Sequence, residues 1–438
     1  MNEFSLIAEF EDFVEEGKVP PLLDPALFSQ SDKIYLPYQV NPITEGSLKN
    51  ILWHFLERFN PQGEVILPGF GKIDLVCDYK DFMIGIECKK EFVKNIKKKD
   101  LNYMNSQSLN ALYLASFGIN DYELSLDYLE AKINGREPIL ELLRRYTFAK
   151  NSIDTRGMSF EEGIYYRKYE GKIRYQEELE ETLKKLREKY QEGMVTQFHG
   201  VIMYNPLGEI WLARGASPLG GTKNATCTPT KEAFIAYSVW RYLKDRDYIV
   251  AAESILPGAV KYNTRSIRTK TRYTDSFILP RGVYIEKEVE RFMQTGHYRI
   301  DITAMPKDNI FIDNSSQYEI IGVECKVSLN NRVKLIEQLR AYLHSGSVSR
   351  LYLAIPHKLK NKAKSILTQA PIYDAGKINK LTDIGILAVD EHGEVEEIKP
   401  ANQIELKEEN MPLAGIEKRR LKEGYFKERL YLTEVRVL

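Results

Sequence analysis

Apolar and polar residues alternate along Ile84-Gly85-Ile86-Glu87-Cys88-Lys89, which predicts a strand with one buried face and one face carrying Glu87 and Lys89. The alternation returns at Ile321-Gly322-Val323-Glu324-Cys325-Lys326-Val327. A shorter run precedes each: Ile73 and Leu75 flank Asp74, and Ile300 and Ile302 flank Asp301, which predicts a neighbouring strand whose apolar pair shares one face. Gly85 and Gly322, just before the glutamates' turn on the polar face, predict room for a close backbone approach. Cys88 and Cys325 fall on the apolar faces and read as core. Helical spacing appears at Leu48, Leu52, Phe55 and Phe59 behind Thr44 as N-cap, and again at Leu179, Leu183 and Leu186 within the charged stretch 175–190. Gly200–Tyr204 and Ile210–Leu212 predict a hairpin around Asn205–Gly208. Ile384–Val389 and Val395–Ile398 predict another around Glu391-His392-Gly393.

The two long alternating runs sit in matching flanks. Upstream lie Trp53 and Trp240, each eight residues after a glutamate, Glu45 or Glu232, near a helix start. Both helices lead into Ile-Leu-Pro-Gly, at Ile66–Gly69 and Ile255–Gly258. Downstream, Tyr113-Leu114-Ala115 and Tyr352-Leu353-Ala354 begin 26 and 28 residues after Glu87 and Glu324. Helix, strand, strand, helix and strand therefore recur in order, the mark of an internal duplication. The expected organisation is a lead-in over 1–36 broken by Pro20, Pro21 and Pro25, a first core over 37–150, a helical and hairpin spacer over 151–225, a second core over 226–400 and a charged tail over 401–438. The expected fold class is α/β.

Chemistry follows from the polar faces. An aspartate on one strand and Glu-x-Lys on the next bring two carboxylates together, and these repel unless a cation lies between them. Mg²⁺ suits such oxygen ligands and keeps waters for substrate phosphates, and Mn²⁺ can replace it. The carbonyl between Glu and Lys adds an oxygen, and the lysine is placed to orient or deprotonate water. Asp74, Glu87 and Lys89 form one such set, and Asp301, Glu324 and Lys326 the other.

Both halves resemble the PD-(D/E)XK, or restriction-endonuclease-like, nuclease superfamily. The resemblance implies two tandem domains, each a mixed central sheet flanked by helices. It implies the two sets as catalytic residues. It adds Glu45 and Glu232 to the metal ligands Asp74, Glu87, Asp301 and Glu324, and implies hydrolysis that leaves a 5′-phosphate. A Gln-x-x-x-Tyr element of some members matches Gln338 and Tyr342, which are expected to contact nucleic acid. The first half has Tyr103 and Gln107 in reversed order. The resulting expectation is a metal-dependent endonuclease on DNA. The alternative is a nucleic-acid-binding or regulatory protein in which one or both cores are inactive.

Formal net charge is zero, which argues against nucleic acid bound over the whole surface and directs attention to local clusters. Lys89, Lys90, Lys94, Lys97, Lys98 and Lys99 form one. Lys261, Arg265, Arg268, Lys270 and Arg272 form another, in an acid-free stretch from Ser254 to Thr274. Gly258 to Asp301 spans 43 residues where Gly69 to Asp74 spans five, so the second cluster reads as an added, phosphate-contacting arm. Four widely spaced cysteines form no zinc or disulfide pattern. The absence of a long apolar run and the acidic start predict a protein of the cytoplasm without a membrane partner. A homodimer is not indicated.

Overall fold

The computed structural model describes residues 2–29, 33–90, 102–118, 179–221, 228–272, 284–311, 318–368, 380–407 and 413–417. Two six-stranded sheets carry the chain, and their strand orders are the same. The first runs β2 (Gln62–Leu67), β3 (Gly71–Tyr79), β4 (Phe82–Lys89), β5 (Ala111–Phe117), β6 (Gly200–Asn205), β7 (Glu209–Arg214). The second runs β8 (Tyr248–Arg272), β9 (Tyr284–Pro306), β10 (Ile321–Cys325), β11 (Arg350–Pro356), β12 (Gly385–Val389), β13 (Val395–Lys399). In each, the first two pairings are antiparallel, the next two parallel and the last antiparallel. A two-stranded sheet joins β1 (Lys33–Pro37) to β14 (Leu413–Glu417), so part of the C-terminal tail pairs with the N-terminal lead-in.

The helices are α1 (Glu3–Glu16), α2 (Glu45–Phe55), α3 (179–191), α4 (Lys231–Lys244), α5 (Arg332–Ser345) and α6 (Lys360–Thr368). The N-cap of α2 is Thr44, whose hydroxyl accepts from the Ser47 N–H. The lead-in contains α1 rather than only irregular chain. Its Leu6, Ile7, Phe10 and Val14 are buried against the first sheet. The 200–214 hairpin, expected in a spacer, instead closes the first sheet: β6 lies parallel to β5, and β7 pairs with β6. It corresponds to β12 and β13 of the second half. Asn120–Ala131 lies outside the described residues.

Burial of Glu11 ties α1 to the far edge of that sheet. Its carboxylate accepts from the Gly215 and Ala216 N–H groups at 2.9 and 3.3 Å, the Tyr113 hydroxyl at 3.2 Å and Arg187 at 2.6 Å. Burial raises its pKa, with Arg187 acting against that shift. Glu11→Ala is expected to cost about 3–5 kcal/mol, because it strands several buried donors at once, and chemical denaturation will measure it.

One continuous apolar cluster runs through both halves. Leu52 and Trp53 of α2 and Cys77, Ile86 and Cys88 of the first sheet join Tyr237 and Trp240 of α4 and Ile302, Val323 and Cys325 of the second. At its centre Trp53 stacks on Tyr237, with centroids 4.7 Å apart and planes 4° from parallel. The opposite face of the second sheet packs under α5 and α6 through Leu335, Leu339, Leu351 and Ile366. The Lys261–Arg272 arm is the outer part of β8, which pairs with β9 in a long two-stranded ribbon. Its register sets Arg268 opposite Glu288 and Lys270 opposite Glu286, so the return strand carries acids that the sequence analysis did not weigh.

Candidate active sites

Both predicted sets come together. In the first sheet Leu75 pairs with Ile86, so Asp74 and Glu87 occupy adjacent positions on β3 and β4. In the second, Ile302 pairs with Val323, and Asp301 and Glu324 are related in the same way. The aspartates also share one hydrogen bond. Asp74 Oδ2 accepts from the Cys88 N–H at 2.7 Å, and Asp301 Oδ2 from the Cys325 N–H at 2.6 Å. Each lysine bends back to its glutamate: Lys89 Nζ lies 2.5 Å from Glu87 Oε1, and Lys326 Nζ 2.6 Å from Glu324 Oε1. Each Nζ also donates to the carbonyl between them, at 3.2 Å to Cys88 and 2.8 Å to Cys325.

The strand before each glutamate departs from simple alternation. Ile73 and Ile300 do not share a core cluster with Leu75 and Ile302. The cause is a bulge on the facing strand. Gly63 pairs with Leu75 and Val65 with Ile73, leaving Glu64 unpaired opposite Asp74 in left-handed backbone, φ 50°. Ala252 pairs with Ile302 and Ser254 with Ile300, leaving Glu253 opposite Asp301 at φ 56°. A bulge in the same place in both sheets re-aims the strand beside the aspartate. It also changes the reading of the glycines. A Cβ on Gly85 would meet Leu109 at 2.6 Å and Ile73 at 2.8 Å, and one on Gly322 would meet Ile300 and Val348 at 2.9 Å. These glycines admit displaced isoleucines, not a backbone.

The second site has the fuller support. Gln338 on α5 donates to Glu324 Oε1 at 2.7 Å, and the Tyr342 hydroxyl donates to Glu324 Oε2 at 3.0 Å. Tyr342 OH is also 2.8 Å from the Arg299 carbonyl. Tyr342 is fully buried, so it orients a carboxylate and is not placed to meet a ligand. The first site repeats half of this. Buried Tyr103 donates to the Lys72 carbonyl at 2.7 Å, and Lys72 is the counterpart of Arg299, two residues before the aspartate. Gln107 is exposed and does not take the place of Gln338. Tyr342→Phe is expected to cost about 2 kcal/mol in a denaturant titration and Tyr103→Phe about 1 kcal/mol, because the first change removes a donor from a buried carboxylate as well as from a carbonyl.

The helix acids differ. Glu232 Oε1 is 3.2 Å from Lys326 Nζ, whereas Glu45, exposed at the start of α2, accepts from the Lys90 N–H at 3.3 Å. Lys94, Lys97, Lys98 and Lys99 lie outside the described residues.

Electrostatics distinguishes the carboxylates. Asp301 is raised well above the usual carboxylate range by burial and then by the negative charge of Glu324, with Lys326 opposing. Glu324 is raised by burial against Lys326. Asp74 is raised by burial, with Lys49 opposing. Mutual repulsion at Asp301 and Glu324 is what a divalent cation relieves. The donor set fits one: two carboxylates and the Cys88 or Cys325 carbonyl, with remaining positions for water, as Mg²⁺ prefers. No group of three Asp, Glu, His or Cys side chains gathers around one point among the described residues, so the backbone oxygen is needed.

Sequence analysis missed Lys49, Glu64 and Glu253. Lys49 is buried on α2, and its Nζ lies 3.0 Å from Glu64 Oε1 and 3.1 Å from Glu253 Oε1. The repeat held a signal for the two glutamates, since each lies two residues before Ile-Leu-Pro-Gly. A groove of about 240 Å³ opens beside them, lined by Asn41, Thr44, Glu45 and Lys90 from the first half and Glu253 and Arg299 from the second.

No family model, curated protein or solved structure matches the chain. No helix among the described residues is long and apolar enough to cross a membrane.

Proposed function

We propose that the chain is a metal-dependent nuclease, of the restriction-endonuclease-like kind that its sequence resembles, hydrolysing phosphodiester bonds in DNA. The observation that carries this reading is the repeated constellation: Asp, Glu and Lys on adjacent strands at the same place in two sheets of identical order. Asp74, Glu87 and the Cys88 carbonyl would hold Mg²⁺ or Mn²⁺ in one site, and Asp301, Glu324 and the Cys325 carbonyl in the other. Glu45 and Glu232 are the further acids at each. Once bound, the ion supplies Lewis acidity toward a phosphodiester oxygen.

The residues of the chain divide the remaining work. Lys89 and Lys326 leave their glutamates to orient a water through Nζ and to offset charge developing on the phosphate. Gln338 and Tyr342 hold Glu324 in one orientation, which limits the reorganisation needed at that site. The ribbon carrying Lys261, Arg265, Arg268, Lys270 and Arg272 is the surface assigned to the DNA backbone.

A second reading has one specific observation in its favour. Each lysine is ion-paired to its glutamate, an arrangement that also satisfies buried charge in a non-catalytic binding or regulatory protein. Supercoiled plasmid, branched DNA and RNA incubated with Mg²⁺ or Mn²⁺ separate the two. Nicked or linear product supports the nuclease, and binding to all three without product supports the second reading.

A further inference from the structure

The N-terminus of α2, which belongs to the first half, is fastened to the second. Thr44 Oγ1 donates to the Ala252 carbonyl at 2.7 Å, and the Ala252 N–H donates to Ser47 Oγ at 2.9 Å. A Cβ on Gly46 would meet Glu253 Cγ at 2.7 Å, so only glycine lets the helix come this close. One turn on, buried Lys49 joins the bulge glutamates of both halves. Glu64, the nearer of these in sequence, is the residue opposite Asp74. The other, Glu253, is held from the far side by Arg299 at 3.2 Å.

The bridge has no mirror image. The residue at the matching point of α4 is Ala236, four after Glu232 as Lys49 is four after Glu45. The charges of Lys49 and Glu253 both reach Asp74, lowering and raising its pKa respectively, behind the larger effect of burial. Glu253 is not among the principal influences on Asp301, which come from Glu324, Lys326 and Glu232.

We propose that the first site is composite: Glu253, supplied by the second half, belongs to it, and Lys49 is the positioning residue through which Glu253 acts on Asp74. Without Glu253, the Lys49 ammonium is neutralised by Glu64 alone, and it competes for Asp74 with any cation the site takes up. Glu253 therefore favours cation binding in the first site and is neutral toward the second. This rests on the nuclease reading only where a metal is used as the probe.

The test uses the four cysteines. Full-length protein labelled with ¹⁵N-cysteine gives four backbone amide signals, assigned by Cys→Ser substitutions. The Cys88 and Cys325 amides each donate to one site aspartate, so each reports one site. Glu253→Gln keeps an acceptor for Lys49 and removes the charge. It is expected to move the Cys88 signal and leave Cys325 in place. Should the variant not fold by thermal unfolding, Glu253→Asp, which withdraws the carboxylate, gives the same comparison. An unmoved Cys88 signal, or a Cys325 signal that moves as far, overturns the proposal.

Mn²⁺ added to the same samples broadens amides near a bound ion. The concentration that half-broadens Cys88 is expected to rise severalfold in Glu253→Gln, with that for Cys325 unchanged. Equal changes at both amides overturn the proposal. If neither signal broadens in the native protein, the metal reading of the sites fails, and the Cys88 shift still decides the inference.

Discussion

Lys326→Ala and Lys89→Ala are each expected to convert double-strand cutting of a plasmid into nicking, and the double variant to cut neither strand. Each lysine serves only the glutamate two residues before it, so each loss silences one site. Removal of such a water-orienting group lowers the rate at that site by roughly 10²–10⁴-fold. The sheets survive, because the apolar faces that build them lie on the other side of each strand. Glu324 keeps Gln338 and Tyr342 as donors in Lys326→Ala, which favours a folded variant. Gel analysis of open-circular against linear product reads the result. If Lys326→Ala alone stops all cutting and Lys89→Ala changes nothing, the first half is a binding domain and the paired-cutting reading is lost.

Chelation is expected to remove cleavage entirely, with Mg²⁺ or Mn²⁺ restoring it. The argument is the charge at the second site. Asp301 and Glu324 are both buried, and each is held partly by neighbours that a substrate phosphate would disturb. Bringing phosphate to uncompensated carboxylates adds a third negative group where two already repel. Ca²⁺ is expected to support DNA binding with little turnover, because its larger, more variable coordination shell positions water poorly. Undiminished cutting in excess chelator would remove the metal from the mechanism.

The core of each half was legible because its period-two runs are long and its flanks are repeated. Trp53 and Trp240, the two Ile-Leu-Pro-Gly turns and the two Glu-Cys-Lys strands align without any gap in order. The 200–214 hairpin was legible as a hairpin but not as part of the first sheet, since 82 residues separate Phe117 from the adjacent parallel strand. Nothing in a local pattern records which edge a distant strand will join. The bulges were invisible for another reason. Glutamate has no preference for left-handed backbone, so Glu64 and Glu253 look like ordinary strand residues until the facing strand is seen to skip them. The role of Tyr103 was hidden by the reversed order of its neighbouring glutamine, although the hydroxyl ends on the same carbonyl position as that of Tyr342. Lys49 has no counterpart in the repeat at all, which is why a search for repeated chemistry passed over it.

The seam around Trp53 and Tyr237 has the character of an isologous contact, in which each of two like bodies offers the other the same patch. Gly63 lies against Trp53 and Ala233, while its structural equivalent Ala252 receives the start of α2. Two identical subunits meeting in this way are bound by their symmetry: a lysine introduced beside the axis appears twice, facing its own copy. A single chain carrying both bodies is free of that constraint. It can keep lysine at 49 and alanine at 236, and so give two chemically matched centres unequal surroundings, a difference that no assembly of identical halves can encode.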